Sequence, residues 1–479
     1  MLIRNTTYYM IASAISAIFG LLGAVVFTRA LTPSEYGIYV VGVSTAGIVS
    51  AVLFTWVRLS VLRFQSEGGA VDIRATSLVA YLISVCAAPL TIIAAALLGH
   101  FSMARTLGAV VFAVGLGLFE LGQELLKARL QSFWFMIASI LRSIAAFGLC
   151  LLAASLGGGG LGQLLMAALA YFVAATIIGR VVWRRPLAPV NFEILKTFLR
   201  FGAPATISGL VYAVHAGTDR LFIAWLLGDA VSGLYGASAD LVRQIILVPA
   251  SSVAAASIPI AVAALARGGA AQAKPHLESC AELLLAVLVP CAVGLALTSS
   301  SLAALVLGPS FRQAAATLIP ILAFAWLFQS ITQSYVHISF HLAKKPHLGI
   351  VLSVGTLLVN VALVTPLVRR LGLPGAAASL VIAEAFGAAL GFALTRYAHP
   401  LPLVPGAILR ICLATALMAA AVRAIQPVLP SEGLAPFAAL IALGIATYLA
   451  AAYLLDIAGI RALARTLFNK RFAEASGAA

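Results

Sequence analysis

The stretch Leu227-Gly228-Asp229-Ala230-Val231-Ser232-Gly233-Leu234-Tyr235 decides how this chain is read. An earlier stretch echoes it: Leu31-Thr32-Pro33-Ser34-Glu35-Tyr36-Gly37-Ile38-Tyr39. Leu31 matches Leu227, Gly37 matches Gly233 and Tyr39 matches Tyr235, all at an offset of 196 residues. Each copy closes one apolar run and opens another, so the spacing predicts an internal repeat. The run ahead of the second copy, Phe201 to Leu227, holds His215, Asp219 and Arg220, groups that a bilayer core tolerates poorly. A weaker echo pairs Leu156 to Gly162 with Leu371 to Gly375.

Composition fixes the environment. The 479 residues are 62% hydrophobic and 9% charged, with a mean hydropathy of +1.09. A soluble domain carries about 25% charged residues, and a chain this apolar has no way to cover its surface in water. The expected class is an all-α polytopic membrane protein. The net charge of +15 does not point to nucleic acid, because the basic residues punctuate the gaps between apolar runs instead of forming one patch. The five cysteines (Cys86, Cys150, Cys280, Cys291 and Cys412) are scattered and read as core-packing residues. His337 and His341 have the spacing of a zinc pair but no third ligand, so no metal and no cofactor is expected. The first apolar run, Thr6 to Thr28, is long enough to span and is expected to remain as a helix.

Runs of about 20 apolar residues suffice to cross a bilayer. They fall at 6–28, 38–60, 76–98, 105–126, 132–155, 160–182, 199–227, 230–264, 277–306, 313–340, 347–368, 373–396, 405–425 and 434–456, fourteen in all, with bends expected at Pro249, Pro259 and Pro290. With the N-terminus inside, 20 of the 30 basic residues fall in cytoplasmic gaps and five on the opposite side, Arg369 and Arg370 among the latter. That bias predicts both termini in the cytoplasm. The longest polar gap, 183–198, divides the chain into an N-terminal lobe (1–182, six helices) and a C-terminal lobe (199–396, six helices). A final helix pair (397–456) and a basic cytoplasmic tail (457–479) follow. Because six helices precede the gap, the repeat is parallel, about an axis along the membrane normal.

Polar groups at membrane depth are the candidate site residues, because such groups face a bundle interior or a wet cavity. Arg142, Arg220 and Arg243 lie within apolar runs and suit an anion, since the planar guanidinium gives phosphate two parallel charge-assisted bonds. Arg58, near the end of the second run, either lines the mouth of a cavity or reaches to the interface. His215, Asp219, Asp240, Asn360 and Glu384 are candidate coupling or structural polar groups. Glu120, Glu124 and Lys127, at i, i+4 and i+7, read as a solvated, self-paired helix end. There is neither a nucleophile–base pair nor a loop long enough to hold an active site, so an enzyme is not expected.

Several of these stretches are familiar. Thr28-Arg29-Ala30-Leu31-Thr32-Pro33-Ser34-Glu35-Tyr36-Gly37-Ile38-Tyr39 resembles the first loop of bacterial polysaccharide-biosynthesis flippases, of the multidrug/oligosaccharidyl-lipid/polysaccharide (MOP) exporter superfamily. Asp219-Arg220 with Leu227-Gly228 and Gly233-Leu234-Tyr235 is similar to the start of their second lobe. Leu307-Gly308-Pro309-Ser310-Phe311 and Leu371-Gly372-Leu373-Pro374-Gly375-Ala376-Ala377 look like their later loops. The resemblance implies two six-helix lobes plus a final pair, alternating access and a central cationic cavity. It implies an undecaprenyl-diphosphate-linked sugar or oligosaccharide as cargo, moved outward across the bacterial inner membrane for surface polysaccharide such as exopolysaccharide or lipopolysaccharide. The expected partners are that lipid-linked glycan, membrane lipids, and a polysaccharide polymerase with its export machinery. The competing class is a cation-coupled multidrug antiporter of the same superfamily, which would use acidic groups that the first helix lacks between Asn5 and Thr28.

Overall fold

Thr32 and Glu35 show why the first echo is a helix start. The Thr32 amide donates to Glu35 Oε2 at 3.1 Å and the Glu35 amide donates back to Thr32 Oγ1 at 3.3 Å, a reciprocal capping box with Pro33 as the first helical residue. The computed structural model describes residues 2–67, 72–97, 102–184, 186–430 and 433–462. Arg185 and the part of the expected basic tail from 463 on, with Arg465, Lys470 and Arg471, lie outside the described residues. The helices are α1 (Leu2–Ala30), α2 (Pro33–Glu67), α3 (Arg74–Leu97), α4 (Met103–Ala128), α5 (Ser132–Ser155), α6 (Gly159–Val182), α7 (Phe192–Leu227), α8 (Asp229–Leu297), α9 (Ser299–Val306) and α10 (Pro309–Ile331). After a π turn at Thr332–Val336 come α11 (His337–Leu342), α12 (His347–Leu371), α13 (Leu373–Thr395), α14 (Pro405–Ile425) and α15 (Leu434–Leu455).

Among the described residues there are no strands, and 13 helices are long and apolar enough to cross a membrane. One of them, α8, is 69 residues long and is two helices in series. Its backbone leaves helical geometry only at Gly268 (φ −148°) and Gly269 (φ +67°). Counted as two, α8 brings the spans to the fourteen expected. The four prolines inside it do not interrupt it; the paired glycines do, because Gly269 adopts a left-handed φ that other residues avoid.

Packing divides the chain into two compact units, Met1–Ala237 with Leu307–Phe311, and Ser238–Val306 with Arg312–Ala479. In the first unit α2 is the hub, packed against α4, α6 and α7. Phe54, Leu121, Leu125, Leu126 and Phe198 are almost wholly buried at its centre, with Tyr81 stacked on Phe54 at 5.1 Å. Between helices in a bilayer, apolar burial supplies little drive, so close backbone approach and interhelical hydrogen bonds matter more. The two echoed stretches meet in just that way. A Cβ on Gly37 would lie 1.8 Å from the Asp229 carbonyl oxygen, and one on Gly233 would lie 2.1 Å from the Pro33 carbonyl oxygen. Pro33 and Asp229 are themselves partners at the 196-residue offset. The repeat is therefore expressed as a reciprocal contact between matched positions.

Arg74 ties the loop before α3 to the end of α6. It is 5% exposed, donates to the carbonyls of Val182 (2.7 Å) and Pro186 (2.8 Å), and pairs with Asp72 at 2.6 Å. The Arg74 guanidinium holds the Asp72 carboxyl well below the usual range, at about 2. Asn191 caps α7 by accepting from the amides of Glu193 and Ile194, while its own amide donates to Thr76 Oγ1 at 3.1 Å.

In the second unit α12 packs against α13, and α14 packs against α15. The last pair docks on the second half of α8. Ala286 is buried among Ile411, Ala414, Ala451 and Ala452. Tyr448 donates to the Ala286 carbonyl at 2.7 Å. Arg410 pairs with Glu282 at 3.2 Å, and the Glu282 carboxylate also accepts from the Ala458 amide.

Candidate functional site

The polar face of α4 builds the site. Glu120, Gln123, Glu124 and Lys127 fall at i, i+3, i+4 and i+7, so they share one stripe. With Ala12, Ser13 and Ser16 of α1, Arg58 of α2, Phe119 of α4, and Phe135, Ser139 and Arg142 of α5, they line a cavity of about 290 Å³ inside the first unit. Three of the lining side chains are cationic and two anionic, so its formal charge is +1.

The charges are not equivalent. Arg58 Nη1 lies 2.6 Å from Glu120 Oε2, and Lys127 Nζ lies 3.0 Å from Glu124 Oε1. Arg142 makes no ion pair among the described residues. Its Nη2 donates to Ser143 Oγ at 3.0 Å and reaches Ser16 Oγ at 3.5 Å, and its guanidinium lies 5.5 Å from the centre of the Tyr171 ring. Hydroxyls and a ring face orient a guanidinium without neutralising it. Arg142 is thus the uncompensated cation of the cavity. Of the expected solvated, self-paired helix end formed by Glu120, Glu124 and Lys127, the self-pairing holds for Lys127 and Glu124. The rest differs: Glu124 is 7% and Gln123 4% exposed, and Glu120 pairs across to α2. The i, i+4, i+7 spacing was visible in the sequence. That α1, α2 and α5 close over it was not.

The structure brings two of the nine candidate residues, Arg58 and Arg142, into this cavity. Three more share α7 in the same unit: His215 and Asp219 are buried and one turn apart, and Arg220 follows, half-buried. Tyr235 donates to Asp219 Oδ2 at 3.2 Å, and Ser232 Oγ donates to the Arg220 carbonyl at 3.0 Å. Both donors belong to the second echoed stretch or its end, so that stretch organises the α7 cluster. None of the three is among the cavity's lining residues. The other four lie in the second unit. Arg243 sits 5.5 Å from the Trp326 ring centre with Asp240 one turn before it. Asn360 is fully buried and accepts from Ser379 at 3.2 Å; Glu384 accepts from Gln329 at 3.1 Å.

An all-α chain with 13 helices long and apolar enough to cross a bilayer among its described residues is an integral membrane protein. A solved structure of the lipid II flippase MurJ, in an inward closed conformation, superposes with a TM-score of 0.79 over 93% of this chain and 97% of that one, at 15% identity. A multidrug resistance MATE family transporter of the MOP superfamily matches with a TM-score of 0.63 in its inward-facing conformation, over 81% of this chain and 94% of that one, at 17% identity. An outward-facing MATE structure gives 0.53 at 18% identity, over 82% and 94%. No curated protein matches the chain significantly. The chain belongs to the polysaccharide biosynthesis protein family, whose profile matches residues 2–264.

Proposed function

We propose that this chain carries an undecaprenyl-diphosphate-linked sugar or oligosaccharide from the inner to the outer leaflet of a bacterial inner membrane by alternating access, supplying surface polysaccharide. Its family membership and its fold support this reading. The observation that carries it is Arg142, a cation on a wall of the cavity with hydroxyls around it and no carboxylate against it. A diphosphate would replace there the water it loses on leaving the cytoplasm, and without such a partner the buried charge is prohibitive. Arg58 stands beside it as a second phosphate ligand. Arg220 and Arg243 are proposed as further ligands of the anionic cargo, and His215, Asp219, Asp240, Asn360 and Glu384 are proposed for coupling or helix positioning. Both termini are placed in the cytoplasm by the distribution of basic residues. With the cell interior negative, outward movement of negative charge is favoured by about 2.3 kcal/mol per charge per 100 mV. A polysaccharide polymerase and its export machinery would take the cargo onward.

The test is translocation of a lipid-linked glycan by the full chain in proteoliposomes, and complementation of a strain lacking its polysaccharide flippase. Arg142→Ala, alone and with Arg220→Ala and Arg243→Ala, is expected to abolish both while leaving insertion intact. Transport at the unmodified rate would discard the assignment. The multidrug antiporter reading draws on the MATE-like fold, but a cavity of formal charge +1 repels cationic drugs. Rescue of a drug-sensitive strain without rescue of polysaccharide would favour it.

A further inference from the structure

The cavity holds two buried acceptors that the phosphate-binding role leaves unused. Gln123 donates its side-chain amide to Ser139 Oγ at 2.9 Å, and Ser139 Oγ in turn donates its single proton to the Phe135 carbonyl at 2.9 Å. That chain fixes which way the Gln123 amide faces. Its nitrogen is committed to Ser139, and Gln123 Oε1 has no protein donor. Glu124 is similar: Oε1 is held by Lys127, and Oε2 has no protein donor. Both residues are more than nine-tenths buried and both line the cavity. The two unpaired oxygens are themselves covered in this state, so a ligand reaches them by a small shift of the side chains above. A buried acceptor left without a donor is costly, so each is poised for a ligand that brings N–H or O–H groups. A metal cation is the poorer match, because Arg58, Lys127 and Arg142 line the same small space and leave its formal charge positive. A neutral, hydroxyl-rich group meets the acceptors without that repulsion.

We infer that Gln123 and Glu124 read the sugar adjoining the diphosphate, accepting hydrogen bonds from its hydroxyl or amide donors while Arg142 takes the phosphate. The inference rests on the proposed cargo and adds a division of labour within it. The cationic residues recognise what every lipid diphosphate shares. The two acceptors on α4 distinguish a glycosylated lipid from the bare carrier, which has no business being exported. Discrimination by acceptors of this kind is strong because the wrong ligand leaves them buried and unpaired.

The test compares two probes on the full chain in nanodiscs: a polyprenyl diphosphate bearing one hexose, and the same polyprenyl diphosphate without it. The unmodified protein is expected to bind the hexose probe about tenfold or more tightly than the bare one, the scale of one or two buried hydrogen bonds. Gln123→Leu with Glu124→Leu is expected to bring that ratio close to one. Glu124→Gln, nearly isosteric and a safeguard should the double variant misfold, keeps a carbonyl acceptor in place and is expected to keep part of the preference. Arg142→Gln is expected to weaken both probes together and leave the ratio intact. A ratio unchanged in the double variant, or absent from the unmodified protein while both probes bind, overturns the inference and spares the proposed cargo. Hexose-probe binding that requires sodium, with the requirement lost in Glu124→Gln, assigns the acceptors to a cation and also overturns it. Failure of the unmodified protein to bind either probe removes the cargo reading and the inference together.

Discussion

Neutralising Glu120 is expected to make the protein bind its cargo more tightly and carry it more slowly. Glu120 holds Arg58 at 2.6 Å, so Glu120→Gln frees a cation and raises the formal charge of the cavity from +1 to +2. A diphosphate seated at Arg142 would feel the loss of one negative charge across the cavity. Taken for scale, two unit charges about 8 Å apart at an effective dielectric of about 20 repel by about 2 kcal/mol per unit of ligand charge. Both members of the pair are half-buried and water screens part of the field, so the expected gain is about 1.4 kcal/mol, about tenfold in Kd. The pair itself, partly exposed, contributes at most about 1 kcal/mol to folding, so thermal stability should barely move.

The assay is a binding isotherm for a polyprenyl diphosphate lipid in nanodiscs, beside single-turnover translocation in proteoliposomes. Tighter binding with slower turnover is the expected pair of results, because a site that holds its ligand harder in both leaflets delays release. Unchanged or weaker binding by Glu120→Gln would refute the reasoning. It would mean either that the anion does not sit in this cavity or that Arg58 never leaves its carboxylate to meet it.

Gly37→Ala and Gly233→Ala should each cost about 3 kcal/mol or more, since the new Cβ meets a backbone carbonyl that no rotamer change can move; thermal melts in detergent check this, and an unaltered melting temperature for both would contradict the reciprocal contact. Arg74→Ala should lower stability by about 2 to 3 kcal/mol, because two carbonyls lose their charged donor and Asp72 its partner, and Arg74→Lys should not restore it, lacking the planar fork that serves all three. The same contact has a pH signature. The Asp72 carboxyl is held at about 2 against an ordinary 3.8, so its stabilisation is complete above about pH 4 and is lost as pH falls through 2. Asp72→Asn should flatten that limb of a pH-dependent melting series.

Periodicity and length made the helices legible, since a bilayer admits few alternatives to spans of about 20 apolar residues. The echo at 31–39 and 227–235 was legible too, though its physical content was not. Sequence alone does not say that Gly37 meets Asp229 and Gly233 meets Pro33. Glycines, and not prolines, mark the break between the two helices of α8. Pro249, Pro259 and Pro290 stay within helix, because neighbouring groups in a bundle can satisfy the carbonyls they free, whereas Gly268–Gly269 breaks it. Arg74 looked like one more cytoplasmic loop charge. Its burial depends on carbonyls 108 and 112 residues further on, which no local pattern reveals. The cavity was half legible for the same reason. Depth singled out Arg142. The burial of Gln123 and Glu124 depends on three other helices, and a glutamine among glutamates at a helix end carries no signal of its own.

The two carboxylates of the cavity make physical sense only if it must empty as well as fill. Three cations without them would be costly to hold around one small cavity, each partly desolvated and repelling the others. Such a site would also bind a diphosphate with little reason to let go. Glu120 and Glu124 answer both difficulties. They pair with Arg58 and Lys127 in the empty protein, which removes most of that self-repulsion. On the proposed cargo, an arriving diphosphate would compete with them for those cations, which would trim its net affinity. Among the described residues that line the cavity, Arg142, with hydroxyls and a ring beside it, is the one cation outside an ion pair and so the one available at first contact. On the proposed cargo an order of events follows: the anion would meet Arg142, then draw Arg58 from Glu120, and on the far side the carboxylate would reclaim its arginine as the anion leaves. A transporter needs that exchange, because a ligand bound equally well in every state shifts no equilibrium between them.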